Sequence, residues 1–249
     1  MVSLISNGRL AKNWGDTIPR TWPALIALMI ALMTAIIVNA SENNVSSPEV
    51  SKLIDVPAND IVASVDGNSI VYDHINLVGD LDLNNLNYKS IKITNSIIEG
   101  NITATNTTVN GDAIFTNTSF KKDATFFNSE IDGNADFSFS RFYGNANFSQ
   151  SRFPQGAIFD FNSFEKDADF SASEFQKSGS FYCSIFKGNA SFVESHFDGT
   201  YTEFELAQFL GKTDFGGAQF KTLVGYSGAN FSKDSDFHAA QFDDEAAFM

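Results

Sequence analysis

An all-β solenoid preceded by a single N-terminal hydrophobic helix is the architecture this sequence predicts. Three observations carry it. Bulky apolar centres recur at steps alternating between five and six residues, a small side chain stands two residues before almost every centre, and Gly, Asn and Asp return in phase between them. The centres fall at 115, 120, 126, 131, 137, 142, 148, 153, 159, 164, 170, 175, 181, 186, 192 and 197. After one seven-residue step they resume at 204, 209, 215, 220, 226, 231, 237, 242 and 248. Twenty-three of these twenty-five are Phe; the others are Ile131 and Tyr226. The residue two before is Ala twelve times, Ser seven times, Thr three times and Gly once, with Asn162 and Val224 as departures. No charge occupies any of the fifty positions.

An eleven-residue period also suits a right-handed coiled coil. The residues between the centres argue against it, because Gly, Asn, Asp and Ser are poor helix formers. They recur as Gly100-Asn101, Gly111-Asp112, Gly133-Asn134, Gly144-Asn145 and Gly188-Asn189. These types tolerate positive φ, so each pair is expected to mark a corner. Short segments that each turn inward once and then bend make a solenoid.

Composition excludes other classes. Five Pro and one Cys in 249 residues rule out a collagen-like chain and a disulfide-stapled mini-protein. Sixteen basic against thirty acidic residues give a net charge of −14, which repels nucleic acid. A hydrophobic fraction of 43%, regularly placed, excludes disorder.

In chain order, residues 1–21 form a basic segment, with Arg9, Lys12 and Arg20 against Asp16. Residues 22–40 carry no charge and end on Val38-Asn39-Ala40. Nineteen residues make roughly 28 Å of helix, enough to span a bilayer. Two readings stand: a cleaved signal peptide with its small-residue end, or an uncleaved membrane anchor with positive-inside charge. Either places the bulk of the chain outside the cytoplasmic membrane, tethered or secreted. Residues 41–58, beginning SENNVSSPEV, read as a flexible linker. Residues 41–249 hold 13 of the basic and 29 of the acidic residues, a net of −16. Residues 59–74 are expected to cap the solenoid. Asn59 and Asp60 are helix-starting types, Ile61, Val62 and Val65 form one apolar face, and Gly67 can end the helix. Residues 75–249 make the coils, first with aliphatic centres at Leu83, Ile93, Ile98, Ala104 and Val109, then with Phe.

The run ADFSFSRFYGNANFSQSRF resembles the pentapeptide-repeat family, whose unit is a small residue, a polar residue, a central Phe or Leu and two variable residues. KGNASFVESHF resembles its Phe-rich branch, where every second unit carries one extra residue, and GDLDLNNLNYKSIKITNSIIEGNI is similar to the opening coils of such proteins. The resemblance spans about residues 60–249. It implies a right-handed, four-sided β-helix, so one coil takes 22 residues. Phe115, Phe137, Phe159 and Phe181 then stack in one inward column, and Phe120, Phe142, Phe164 and Phe186 in another. The core centres expected to carry the fold are these together with Phe148, Phe153, Phe170, Phe175, Phe192 and Phe197. The seven-residue step through Asp198-Gly199-Thr200-Tyr201 is expected to bulge one corner.

Catalytic, cofactor and metal signals are lacking, so neither an enzyme nor a cofactor is expected. His74, His196 and His238 stand alone, Cys183 has no partner in the sequence, and no nucleophile elbow, P-loop or dinucleotide fingerprint occurs. The residues before the centres run Thr125, Asn147, Asp169, Ser191, Asp214 and Asp236 down one face, too sparse a set of carboxylates to demand calcium. Among eight Asn-x-Ser/Thr sequons, Asn44, Asn101 and Asn106 are candidate glycosylation sites in an exported chain.

The expected function is a non-enzymatic extracytoplasmic structural or protein-interaction module with an acidic β-helical surface. The expected partners are an unidentified protein or cell-envelope component and the membrane through residues 22–40, with no nucleic acid. The chain stops with Phe248 on a repeat centre, which leaves two readings: a homodimer through that C-terminal coil, as the resemblance implies, or a piece of a longer chain. The resemblance also implies an alternative function, an acidic duplex-DNA mimic that binds a type II topoisomerase, which the export segment disfavours.

Overall fold

The computed structural model describes residues 52–63 and 69–248. The expected N-terminal hydrophobic helix at 22–40 and the sequon at Asn44 lie outside these residues. Among the described residues no helix is long and apolar enough to cross a membrane.

Over the described residues the chain winds through four parallel sheets, two of nine strands and two of eight. In order round a coil, the first face holds strands such as Ala135–Asp136, the second Arg141–Phe142, the third Ala146–Asn147 and the fourth Arg152–Phe153. Each strand pairs with the strand of the same face one coil on, so Ala135 lies opposite Ala157, Phe142 opposite Phe164 and Ala146 opposite Ala168. A 22-residue coil therefore brings identical repeat positions into register. Four sides fit the four sheets, as the resemblance implied.

The alternation of centre and small residue sets what points inward. All fourteen of these expected inward centres are buried, and so are Ala113, Ala124, Ala135, Ala146, Ala157 and Ala168 two residues before their centres. Phe115 stacks on Phe137 at 5.2 Å and Phe142 on Phe164 at 4.8 Å, with rings nearly parallel within each column. Neighbouring columns meet edge to face, as Phe137 and Phe148 do at 79°. Such offset and T-shaped pairs suit the ring quadrupole. Burial of each Phe contributes roughly 1.5–3 kcal/mol.

On the second and fourth faces the residue two before the centre is Ser or Thr up to Ser195, Asn162 excepted, and its hydroxyl has a definite role. Ser173 Oγ donates to the carbonyls of Phe148 and Phe170, at 2.9 and 2.7 Å, and Ser140 Oγ to Phe115 O at 2.6 Å. Buried carbonyls at the bends thus gain partners that the ladders do not supply. After the seven-residue step Ala207, Ala218, Ala229 and Ala240 take these places. There the amide donates alone, for example Ala218 N to Phe215 O at 3.0 Å. The hydroxyl moves to the positions that Ala held before, where the Thr213 hydroxyl finds no partner.

The corners correct one expectation. Positive φ does not fall on the Gly-Asn pairs; it falls two residues after the first-face and third-face centres, at Asn95, Asn106, Asn117, Asn128, Phe139, Gln150 and Phe161. A left-handed third residue is what a type II turn requires. The Gly of a Gly-Asn pair serves close approach instead. A Cβ on Gly133 would lie 2.4 Å from the carbonyl carbon of Gly111 one coil earlier. The seven-residue step is absorbed before Tyr201, where Gly179 faces Thr202 and the pairing offset becomes 23 residues.

Two boundaries also move. Ile54–Pro57, expected in the linker, pairs with Ile75–Val78 and opens the second face. Ser69–Asp73, expected in the cap, already pairs with Ser90–Thr94 on the first face. Both follow from backbone satisfaction, since the next coil's edge groups need partners. The helix α1 (Ala58–Ala63) lies in between, with Ala58 and Ile61 buried. Gly67, its expected end, lies outside the described residues.

Candidate interaction surface

The interior is filled with rings, so chemistry has to be sought on the outside. Among the described residues no group of three or more His, Cys, Asp or Glu is placed to hold a metal ion. The concavities are open grooves between outward rows, such as the one lined by Glu174, Glu194, His196 and Gln219. Cys183 is free and half-buried, and burial pushes its thiol up, away from the reactive thiolate.

The carboxylates of the row judged too sparse for calcium cap turns. Asp169 Oδ1 accepts from Ser171 N at 2.9 Å, Asp214 Oδ1 from Gly216 N at 2.7 Å and Asp236 Oδ1 from His238 N at 2.7 Å. These are bonds two residues forward, the geometry that favours Asp and Asn at turns. Asp80, from GDLDL, likewise accepts from the Asn101 amide at 2.7 Å.

Asn101 and Asn106 are part of inter-coil ladders. Asn101 Nδ2 donates to Asp80 Oδ1 at 3.1 Å, and Asn106 Nδ2 to Asn85 Oδ1 at 3.1 Å. A glycan on either nitrogen would interrupt its ladder, so modification there rests on the sequon alone.

Charge is distributed unevenly between faces. The ion pairs Arg141–Glu165 (2.8 Å), Lys187–Glu165 (3.0 Å), Arg152–Glu130 (3.1 Å), Arg152–Glu174 (3.2 Å) and Lys221–Asp198 (3.1 Å) all lie along the second and fourth faces. Asp136, Asp160, Asp169, Glu203 and Asp214, on the first and third faces, take part in none of these ion pairs.

On the first face the seven-residue step brings Glu203 and Glu205 beside Asp160. Asp160 Oδ1 accepts from Tyr182 N at 3.0 Å, and the Tyr201 hydroxyl donates to Glu205. Glu205 Oε2 is buried without a partner. Burial, then the neighbouring Glu205 and Asp160, push the Glu203 carboxyl up to about 7. Burial also raises Asp160, against the pull of its bonds to Ser180 and Tyr182, and raises the Tyr182 hydroxyl to about 12.

This cluster gives a pH prediction. The folded Glu203 value lies above the usual 4.5, so the fold favours the protonated form. Its contribution is full below about 4.5 and is lost as pH rises through about 7. Glu203→Gln should therefore gain in Tm relative to the unaltered chain across that window. Asp73 and Glu165, both held below the usual carboxylate range, act oppositely but cancel in the difference. A Tm difference that is flat from pH 4.5 to pH 7 contradicts the assignment.

Residues 126–174 match the family model for pentapeptide repeats, in nine copies. The matched stretch spans about two coils, and the pentapeptide register continues on both sides of it, from Phe120↔Phe142 to Phe220↔Phe242. No curated protein matches the chain. A solved structure that does match is that of a trypsin-treated variant of QnrB1, a plasmid-mediated fluoroquinolone resistance protein. It is 14% identical, the alignment covers 72% of this chain and 92% of that one, and the TM-score is 0.20. A superposition that poor carries no statement about this chain's activity.

The partner expectation is corrected on this finding. The solved structure that matches is of a fluoroquinolone resistance protein. The set of a cell-envelope partner, the membrane through 22–40 and a homodimer through the C-terminal coil is withdrawn. The expectation of no nucleic acid is untouched by it.

Sequence reasoning missed the Glu203–Glu205 cluster and the corner residues Phe139 and Phe161. Both Phe stand off the five-six register, and that irregularity was the available signal.

Proposed function

We propose that the pentapeptide-repeat solenoid is a non-catalytic binding module, a stiff rod that offers carboxylates of its first and third faces to a basic polypeptide. One observation supports the reading. The ion pairs of the described residues lie on the second and fourth faces, so Asp136, Asp160, Asp169, Glu203 and Asp214 are left outside them. A flat, regular surface of one sign attracts an opposite partner and fixes its orientation.

The test uses the full chain and a labelled peptide of four Arg alternating with three Gly. Salt-dependent binding is expected. Joint neutralisation of Asp136, Asp160, Asp169, Glu203 and Asp214 should weaken it at least fivefold. Arg141→Gln with Lys187→Gln, on the second face, should not weaken it. No binding at low salt, or equal loss from both sets, refutes the reading.

Mimicry of duplex DNA toward a type II topoisomerase is the second reading. It is favoured by the recurrence of side chains along each face at about 4.8 Å per coil, which gives straight rows of acids. Place of action separates the two. Export rests on the uncharged run 22–40 alone, and recovery of the chain with the cytoplasm would remove export and favour mimicry.

A further inference from the structure

The corner that follows the first-face centres is occupied in successive coils by Asn95, Asn117, Phe139, Phe161 and Cys183, all at positive φ. Asn suits this place twice over. It tolerates the left-handed conformation, and its amide ladders from coil to coil, Asn117 Nδ2 donating to Asn95 Oδ1 at 2.9 Å. Phe does neither, and a bulky residue at positive φ is strained. Yet Phe139 and Phe161 hold φ of 59° and 56° and are 52% and 43% exposed. Their rings stack on each other at 4.9 Å, and Tyr182 meets Phe161 edge-on at 5.5 Å. Ile158, on the adjoining outward row of the first face, is 40% exposed.

Two exposed rings, with the partly buried Tyr182 beside them, thus stand where this turn prefers Asn. Local rules broken without a gain in packing point to a functional site. The chemistry around the strip says what it takes. Asp136, Asp160, Glu203 and Glu205 lie on the same face, and none of them forms an ion pair. Exposed aromatic faces beside unpaired carboxylates attract cations through the ring quadrupole and through charge, and bury apolar side chains.

We propose that Phe139, Phe161, Tyr182 and Ile158, with the carboxylates Asp136, Asp160 and Glu203, form a docking strip for a basic polypeptide segment whose Arg or Lys residues alternate with large apolar ones. The strip deepens the binding-module reading and rests on it. General attraction of basic peptides comes from both acidic faces, whereas the added affinity for apolar residues comes from this corner.

The experiment compares two labelled heptapeptides of equal charge on the full chain: Arg alternating with Gly, and Arg alternating with Leu, Trp and Leu. The second should bind about tenfold tighter. Phe139→Asn with Phe161→Asn should abolish that advantage, with a much smaller loss for the glycine peptide, whose Arg residues lose only the ring contacts. Because Asn is the residue the corner uses at 95 and 117, the double variant should keep or raise its Tm, so loss of fold does not explain lost binding. Phe139→Tyr should retain the advantage. If the glycine peptide binds and the apolar peptide gains nothing, the strip is overturned while the acidic-surface reading stands. If neither peptide binds, both fall. An advantage that survives the double Asn variant, or rings protected only by anionic vesicles or duplex DNA, also overturns the strip.

Discussion

Phe164→Asp should unfold several coils of the solenoid. Phe164 is fully buried, stacked between Phe142 at 4.8 Å and Phe186 at 4.7 Å, with Phe170 edge-on at 6.0 Å. Removing the ring alone costs about 3–5 kcal/mol. A carboxylate left there has no hydrogen-bond donor among the neighbouring rings, so it must protonate or pull water into the stack, at several kcal/mol more. The sum rivals the ~5–15 kcal/mol that holds a typical domain. In a repeat stack each coil rests on its neighbours, so damage in the middle spreads to both sides. Far-UV circular dichroism and limited proteolysis of the full chain should show the loss. Phe161→Asp, three residues earlier at an exposed corner, should change stability by about 1 kcal/mol or less, in the range of surface substitutions. Equal destabilisation by both would break the inward register.

The reason this contrast could be framed from residues alone is the period. Five and six residues per side, one ring per side and one small residue two places earlier leave little freedom for what faces in. Other features were not legible, for identifiable reasons. Ile54–Pro57 and Ser69–Asp73 carry no Phe centre, and Ile54 and Val71 are exposed, so nothing in their pattern marked them as coil strands. Gly in a repeat signals either positive φ or close approach, and the sequence does not say which. Gly-Asn pairs proved to be the second kind, and Asn117 or Phe139 the first. The uneven charge of the four faces needs the coil offset before it can be seen, because Arg141 and Glu165 are separated by more than one coil of sequence. The Glu203–Glu205 cluster depends on the one irregular step, whose local path no periodic argument supplies.

That irregular step is itself open to a sharp test. Gly199 sits where one extra residue is accommodated between Phe197 and Phe204, flanked by Asp198 N donating to Phe175 O at 2.9 Å and Thr200 N to Lys177 O at 2.9 Å. A Cβ on Gly199 would lie 1.2 Å from the Lys177 carbonyl oxygen and 1.9 Å from its carbon. Both obstacles are backbone, held by bonds on either side, so no side-chain rotation relieves the clash. Gly199→Ala should therefore cost about 3 kcal/mol, in the range of the named large-effect mechanisms. A lowered urea midpoint of the full chain would register it. Deleting Gly199 should act differently. The step from Phe197 to the next centre becomes six residues, the alternation of five and six is restored, and the two coils pair at the same offset as the rest. The deletion should stay within about 1 kcal/mol of the parent, as insertions and deletions at surface corners commonly do. A deletion that destabilises more than the alanine substitution would mean that the extra residue is required by the first-face cluster built on Tyr201 and Glu203, rather than tolerated by the coil.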